Sequence, residues 1–165
     1  MPFPALARGA AVPEAYCVNK LIPVLTLALG LFFPLSARAD SDWLTDYKKA
    51  QGQAKTNNKL LLIDFTGSDW CGFCIQLNRD VLTKPEFKDY ASKNLVLMEV
   101  DFPRRKPQSP DTRKQNEELA QQYQIEGFPT IVVLDGEGKS VWRYDGYFPG
   151  GPGAFIAQLE KLRKG

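Results

Sequence analysis

Cys71 and Cys74 are the residues of this 165-residue chain whose type and spacing most directly suggest chemistry. They form a C-x-x-C pair, and in a helix that spacing brings both sulfurs to one face within bonding distance. A thiolate is the nucleophile of disulfide exchange, and a cysteine at a helix N-terminus has a lowered pKa because backbone N–H groups and the helix dipole stabilise its charge. The pattern predicts Cys71 as the nucleophile and Cys74 as the thiol that attacks the mixed disulfide, with Gly72 permitting a close turn.

Histidine is absent from the chain, and its absence excludes several kinds of site. Ser/His/Asp hydrolysis, Cys/His proteolysis and His-ligated zinc all need an imidazole, and attachment of c-type haem needs a histidine directly after the C-x-x-C. Cysteine, carboxylates, lysine and the backbone remain as carriers of chemistry. We therefore expect a site with no metal and no organic cofactor.

Residues 1–39 have the pattern of a secretory signal. A run of 15 apolar, Gly, Pro and Thr residues follows Lys20 and precedes Ala37-Arg38-Ala39, which predicts cleavage before Asp40. A retained anchor in the inner membrane is the alternative, but a membrane span needs about 20 apolar residues. We expect a signal peptide over 1–39 and an exported domain over 40–165, in the periplasm or outside the cell.

The charge balance of the exported part argues against binding to nucleic acid. Of 21 basic and 19 acidic side chains, three basic and one acidic lie in residues 1–39, so 18 of each sign remain. A broad basic surface for nucleic acid or anionic lipid is not expected at zero net charge. The cluster Arg104-Arg105-Lys106, which lies between two prolines, is interpreted as a solvated loop. Cys17 would leave with the leader, so the exported chain would keep only the C-x-x-C cysteines.

The first part of the exported chain reads as a helix followed by a strand. Apolar residues from position 43 onward follow a helical spacing, with Ser41 or Asp42 as the expected cap and Asn57-Asn58 as the stop. Residues 60–65 form an apolar run broken only by Asp64, and such a run is typical of a strand buried on both faces.

The remaining elements continue this alternation along a chain of ordinary globular composition, 44% hydrophobic and 24% charged. Helices are predicted to open near Cys71 and near Thr83 and to pass through 119–123 and 155–162, and strands are predicted over 95–100, 130–134 and 139–144. The last two strands form a hairpin across a Gly-containing turn. The order α-β-α-β-α-β-β-α predicts one α/β domain with a mixed four-stranded sheet and helices on both faces.

Two motifs give the chain a family resemblance that covers roughly residues 42–163. The segment Trp70–Cys74 resembles the active-site motif of the thioredoxin superfamily, and Gly127-Phe128-Pro129-Thr130 resembles its cis-proline loop. The resemblance implies a thioredoxin-like fold and a thiol:disulfide oxidoreductase that acts on protein disulfides. It also implies an outside electron donor, for which a membrane protein is one candidate. We expect the protein to be a monomer.

The resemblance suggests Asp64 as the proton acceptor for Cys74. Burial in an apolar strand should raise the pKa of this carboxyl, as catalysis would need. The spacing departs from the family, because Asp64 lies seven residues before Cys71 instead of six. The extra residue lies within 66–69 and leaves Asp69 as a weaker substitute, and a purely structural, hydrogen-bonded role for Asp64 is the alternative.

Five residues are candidates for substrate binding. Phe73 is expected to offer an exposed apolar contact, and a cis bond before Pro129 would leave the backbone of Phe128 free to pair with an extended substrate. Trp70 and Gly146 resemble the Trp beside the family motif and the Gly that lines its substrate groove. An ordinary strand-initiating proline and simple packing are the alternatives for these positions.

Two other classes of protein remain open on the sequence alone. One is a Cu(I)-binding or other metal-binding protein that uses both thiolates as soft ligands, and the other is a thioredoxin-fold interaction module that has lost catalysis. A static disulfide is weakly supported, because a four-residue loop constrains the unfolded chain little. Within the oxidoreductase reading, a motif without histidine has little to stabilise the reduced form, which predicts a reductant.

Overall fold

The computed structural model describes residues 43–164. The predicted signal peptide over 1–39 and its cleavage point before Asp40 lie outside the described residues, as do Ser41 and Asp42. None of the helices within 43–164 is long and apolar enough to cross a membrane.

A four-stranded sheet forms the centre of the domain. In chain order the elements of the domain are α1 (Tyr47–Asn57), β1 (Leu60–Thr66), α2 (Gly72–Leu77), a π-helical segment (Asn78–Leu82), α3 (Pro85–Asn94), β2 (Leu95–Asp101), α4 (Pro110–Gln122), β3 (Thr130–Leu134), β4 (Ser140–Asp145) and α5 (Gly151–Lys164). The strand order is β2-β1-β3-β4, with β1 parallel to β2 and the other pairs antiparallel. The predicted mixed sheet of the thioredoxin-like fold is confirmed.

Strand β1 is buried along its whole length, which explains its continuous apolar sequence. Alternate side chains of a strand point to opposite faces, and two apolar clusters follow. The face of Leu60 and Leu62 packs against α2, the π-helical segment, α3 and α5, through Leu77, Val81, Leu82, Phe87, Ala91, Phe155 and Leu159. The face of Leu61 and Ile63 packs against α1 and α4, through Ala50, Ala54 and Leu119. By this alternation Asp64 belongs to the first face, the one covered by the helix that carries Cys74.

The first helix begins later than its apolar spacing predicts. Helix α1 starts at Tyr47, with the Asp46 carboxylate accepting the Lys49 N–H at 2.9 Å as its N-cap. The prediction of a cap at Ser41 or Asp42 was therefore wrong. Residues before the helix are extended, and Leu44 forms a parallel bridge with Met98 on the outer edge of β2. The predicted stop was right, since Asn58 caps the helix in the left-handed region at φ 50°.

The helix that opens at the cysteine pair changes from α-helical to π-helical geometry after six residues. α2 ends at Leu77, and the chain continues into the π-helical segment without a break. α3 then starts after Lys84 with Pro85 in its first turn, where the missing N–H of proline costs nothing. This arrangement puts Cys71 at the carboxyl end of β1 and turns the helix across the face that holds Asp64.

Candidate active site

The two cysteines form a disulfide at the start of α2. Cys71 is the N-cap residue, with extended backbone angles of φ −84° and ψ 108°. Its sulfur accepts the backbone N–H of Cys74 at 3.2 Å, and the two Cα atoms are 5.2 Å apart. The same N–H is free to stabilise a thiolate on Cys71 once the disulfide is reduced.

Both cysteines are buried in this disulfide state, Cys71 at 7% exposed and Cys74 at 3%. In the oxidised protein the nucleophile predicted from the sequence therefore presents little surface to solvent. The neighbouring side chains are exposed instead, Phe73 at 63% and Ile75 at 48%. Gly72 has open space where a Cβ would lie, so the turn does not require glycine there.

A cavity of about 670 Å³ lies behind the disulfide and connects Cys74 with Asp64. Glu99 lines the same cavity, together with Ser68, Asn78 and other residues of the surrounding elements. The Asp64 residue is 7% exposed, and its Oδ1 has no hydrogen-bond partner within residues 43–164. The one-residue insertion before Cys71 thus leaves Asp64 and Cys74 on a common cavity.

Burial, which is the largest cause, and the negative charges of Glu99 and Asp101 together raise the pKa of Asp64 to about 8. A carboxyl in this range exchanges its proton near neutral pH, which suits a general base. A hydrogen-bonded structural carboxylate would have a low pKa instead. The environment of Asp64 therefore resembles that of an acid–base group.

The segment with the extra residue folds into a tight turn under Trp70. The carbonyl of Gly67 accepts the N–H of Trp70 at 3.2 Å and the N–H of Cys71 at 2.8 Å. A Cβ on Gly67 would lie 2.6 Å from the indole, so only glycine fits beneath the ring. Ser68 donates from its N–H and its hydroxyl to the two carboxylate oxygens of Asp101. The insertion is thus absorbed into contacts between the loops after β1 and β2.

Asp69 has a different role from the one predicted as a substitute for Asp64. Its carboxylate accepts the backbone N–H groups of Arg104, Arg105 and Lys106 at 2.7 to 3.2 Å. These hydrogen bonds, led by that of Arg104, lower the pKa of Asp69. Asp69 is therefore a charged acceptor that holds the loop after β2, and the role of a proton acceptor for Cys74 does not fit it.

Trp70 joins the same loop to the active-site turn. Its Nε1–H donates to the carbonyl of Phe102 at 2.8 Å, and the Arg104 guanidinium lies 3.7 Å from the ring centroid. Phe128 packs edge-on against Trp70 with ring centroids 5.9 Å apart. The side chains of the 104–106 cluster are exposed as predicted, but the loop backbone is fixed against the site.

The proline loop lies across the end of β3. The Phe128–Pro129 peptide bond is cis, and the Pro129 carbonyl accepts the N–H of Gly146 at 2.8 Å. Gly146 has φ +91°, which favours glycine. These residues line a second cavity of about 530 Å³ together with Arg143 and Asp145. Phe128 therefore contacts Trp70 directly, whereas Gly146 is connected to the site by its hydrogen bond to Pro129.

Sequence reasoning missed Glu99, Phe102 and Arg104 as neighbours of the site. A signal was present for Glu99, because Glu99 and Asp101 alternate with apolar residues in β2 and must share a face. Nothing local indicates that Arg104 stacks on an indole 34 positions earlier. Among residues 43–164, no group of three or more Cys, Asp or Glu side chains is arranged to hold a metal.

Comparison with known proteins supports the thioredoxin-like class that the fold and the cysteine pair indicate. Residues 47–163 match the family model described as a thioredoxin-like domain. The disulfide bond reductase DsbH of Chlamydia pneumoniae is 38% identical over 128 residues, which cover 78% of this chain and 76% of that protein. The thioredoxin-related protein DsbJ of the same organism is 34% identical over 134 residues, which cover 77% of this chain but only 38% of DsbJ.

Solved structures agree with the sequence relatives. A DsbH oxidoreductase structure superposes with a TM-score of 0.69 at 38% identity and covers 74% of this chain and 83% of its own. A thioredoxin from Thermus thermophilus, at 23% identity and a TM-score of 0.54, supports the fold alone. The chain belongs to the thioredoxin-like family. With its Cys71–Cys74 pair, it is a thiol:disulfide oxidoreductase.

Asp69→Ala should loosen the loop after β2. Removal of the carboxylate leaves three backbone N–H groups without their acceptor, so hydrogen exchange at Arg104, Arg105 and Lys106 should accelerate. The fluorescence of Trp70 should change as the loop moves away. Asp89→Ala, at an exposed position of α3, is the control and should leave the same amides unchanged. Equal exchange rates in both variants would contradict the role given to Asp69.

Asp64→Asn should stabilise the fold in a pH-dependent way. Between the ordinary pKa of 3.8 and the folded value of about 8, the unfolded chain ionises Asp64 while the folded chain keeps the proton. The free energy of unfolding of the native chain therefore falls as pH rises through this window. Each pKa unit corresponds to about 1.4 kcal/mol, so the variant should gain up to several kcal/mol at pH 8 and almost nothing at pH 4.

Urea unfolding of the oxidised proteins at pH 4, 6 and 8 measures this difference. Asp89→Asn serves as the control for removal of one exposed negative charge. A stability difference between native chain and Asp64→Asn that stays constant from pH 4 to 8 would show that the Asp64 pKa is close to normal.

Proposed function

We propose that the protein is a reductase of disulfides in exported proteins, with Cys71 as the nucleophile and Cys74 as the resolving thiol. The observation that carries the proposal is the geometry at the start of α2, where the Cys71 sulfur caps the helix and accepts the Cys74 N–H. A thiolate in that position is stabilised by the N–H groups and the helix dipole. Cys74 follows one turn later, and within residues 43–164 no N–H group donates to its sulfur.

The exchange cycle begins with a reduced pair. The Cys71 thiolate attacks one sulfur of the substrate disulfide, forms a mixed disulfide and expels the other substrate sulfur as a thiolate. Once the Asp64 carboxyl is ionised, Cys74 transfers its proton to that carboxylate and attacks the Cys71 sulfur, which closes the intramolecular disulfide and releases the second substrate thiolate. Two electrons pass from the protein to the substrate, and the cavity shared by Cys74 and Asp64 supports the proton transfer.

Substrate docking is assigned to the surface around the disulfide. Phe73 and Ile75 supply exposed apolar area beside Cys71. An extended substrate segment can pair with the backbone of Phe128, as strands add to free backbone groups elsewhere. Trp70 borders this docking surface on the side of the loop after β2. Gly146 holds Pro129 in place by donating its N–H to the Pro129 carbonyl.

The reducing direction is supported by the chemistry of the motif and by the relatives. No imidazole is available to stabilise a thiolate, since the chain has no histidine, and Gly72 and Phe73 add no charge. DsbH, 38% identical, is named a disulfide bond reductase. A reductase must be recharged by a dithiol donor, and a membrane protein is a suitable candidate for a protein outside the cytoplasm.

The location is inferred from the leader. Residues 1–39 have the basic, apolar and small-residue regions of a signal peptide. We assign the mature domain to residues 40–165, exported to the periplasm or beyond and acting as a monomer. Its substrates are protein disulfides in that compartment.

The two cysteines should react unequally once reduced. Cys71 should be alkylated quickly near neutral pH and Cys74 slowly, because in the described part of the chain a backbone N–H stabilises the Cys71 sulfur alone and Cys74 is the more buried. Mass spectrometry after a short pulse of iodoacetamide locates the label. Cys71→Ser should abolish exchange, whereas Cys74→Ser should accumulate mixed disulfides. Faster labelling of Cys74 would reverse the assigned roles.

The reduction potential should lie near the value of about −270 mV found for thioredoxin, far from the value of about −120 mV of a strong oxidant. Equilibration against dithiol buffers, followed through Trp70 fluorescence, gives the midpoint. Phe73→His should move the midpoint in the oxidising direction, because an imidazolium next to Cys71 stabilises its thiolate. Phe73→Ala is the matched control and should move it less. A native midpoint near the oxidant value would refute the reducing direction and leave the exchange chemistry intact.

A further inference from the structure

Asp64 has a carboxyl partner across the sheet. In the parallel pairing of β1 with β2, Asp64 is in register with Glu99. Residues in register on neighbouring strands present their side chains to the same face. Both side chains line the cavity of about 670 Å³ that also reaches Cys74. Two carboxyl groups therefore share one polar space behind the disulfide.

The two carboxyls differ in their access to solvent. Asp64 is 7% exposed, and its Oδ1 has no hydrogen-bond partner in the described part of the chain. Glu99 is only partly buried. Glu99 is therefore a more solvent-exposed acceptor for a proton on Asp64, and the cavity that both residues line has room for water.

Other charged groups near the pair set its total charge. Asp101, two residues further along β2, adds a negative charge that acts on both carboxyls. Lys106 acts on Glu99 from the loop after β2, and Lys88 lines the cavity from α3. No basic group forms an ion pair with Asp64 or Glu99 among residues 43–164.

We propose that Glu99 is the acid–base partner of Asp64, sharing one proton with it across the cavity and passing the proton of Cys74 to solvent. Glu99 does not touch the sulfurs and acts through Asp64, so it is a positioning residue that fixes the protonation state of the base. The proposal rests on the exchange cycle described above and adds the route that its proton takes.

The proton balance of the step is simple. Asp64 gives its proton to the Glu99 carboxylate and becomes ionised. Cys74 then gives its thiol proton to Asp64, and the resulting thiolate attacks the Cys71 sulfur of the mixed disulfide. The bond between Cys71 and the substrate sulfur breaks, and the substrate leaves as a thiolate. Glu99 finally releases its proton to water, so one proton leaves the protein for each Cys74 thiol consumed.

The pair should titrate as a unit. Burial is the largest cause that raises the pKa of each carboxyl, and each also feels the negative charge of Asp101. Two such groups in one poorly solvated space do not ionise independently, so their protons leave in two separate steps. Ionised Glu99 holds the second proton on Asp64. Removal of the Glu99 charge should therefore lower the pH at which Asp64 ionises.

Glu99→Gln tests this route in the full chain. Reduced protein is mixed in a stopped-flow instrument with a fluorescent disulfide-containing peptide, and the fast attack by Cys71 is separated from the slower closure by Cys74 between pH 5 and 9.5. The closure rate of the native chain should show two ionisations. In Glu99→Gln one ionisation should remain, with a midpoint lower by about one pH unit, the size of a typical effect of one neighbouring charge.

Two matched variants separate the carboxyl from its charge. Glu117→Gln makes the same change in net charge at an exposed position of α4 and should keep the native profile. Glu99→Asp keeps a carboxyl in the cavity and should retain two ionisations. A midpoint unchanged in Glu99→Gln, or shifted equally by Glu117→Gln, would overturn the proposal.

A direct titration decides the matter even if Glu99→Gln does not fold. In the native chain labelled with carbon-13 at its carboxyl groups, the signals of Asp64 and Glu99 should each show two inflections with pH. A single independent inflection for each would overturn the proposed sharing. Failure of the proposed function has a different signature, because the native chain would then form no mixed disulfide through Cys71 at any pH.

Discussion

Burial of β1 on both faces of the sheet is the constraint on which the active site depends. A strand buried on both faces of the sheet forces any ionisable side chain in it to keep an uncharged form or find a partner. Asp64 is that side chain, on the face covered by the helix of Cys74. The same strand ends directly before the turn that leads to Cys71. One buried element therefore fixes the position of the nucleophile and the proton affinity of the base behind it.

The wall of the site is built from two loops that hold each other. Asp69 and Trp70, before the nucleophile, bind the backbone of residues 102–106, and Ser68 is bound in return by Asp101. These are contacts between the carboxyl ends of the two parallel strands, β1 and β2. The extra residue before Cys71 provides the length for this connection. An insertion that looks like a defect in the spacing of a motif thus supplies the ordering of a neighbouring loop.

The sequence allowed the strands and the cysteine pair to be predicted because those features are local. The apolar run at 60–65 and the hairpin strand at 130–134 have spacings that fit one structure, and the C-x-x-C together with the strand before it and the proline loop after it favours disulfide exchange over metal binding. The start of α1 was mispredicted because Trp43 and Leu44 suit an extended segment on β2 as well as a helix. The partners of Asp69 and of Asp64 lie more than 30 residues away, so their contacts follow from the packed sheet and not from a local pattern.

The bridge between Leu44 and Met98 protects an open margin of the sheet. Strand β2 lies at one end of the sheet, where unpaired N–H and C=O groups invite another chain to add a strand. Leu44 occupies part of this margin by donating its N–H to Leu97 and accepting the N–H of Glu99. At the other end, β4 presents charged residues at Arg143 and Asp145 and meets β3 at an irregular register. Both margins are thus unfavourable for aggregation, and the stretch that closes one of them begins only a few residues after the predicted processing point.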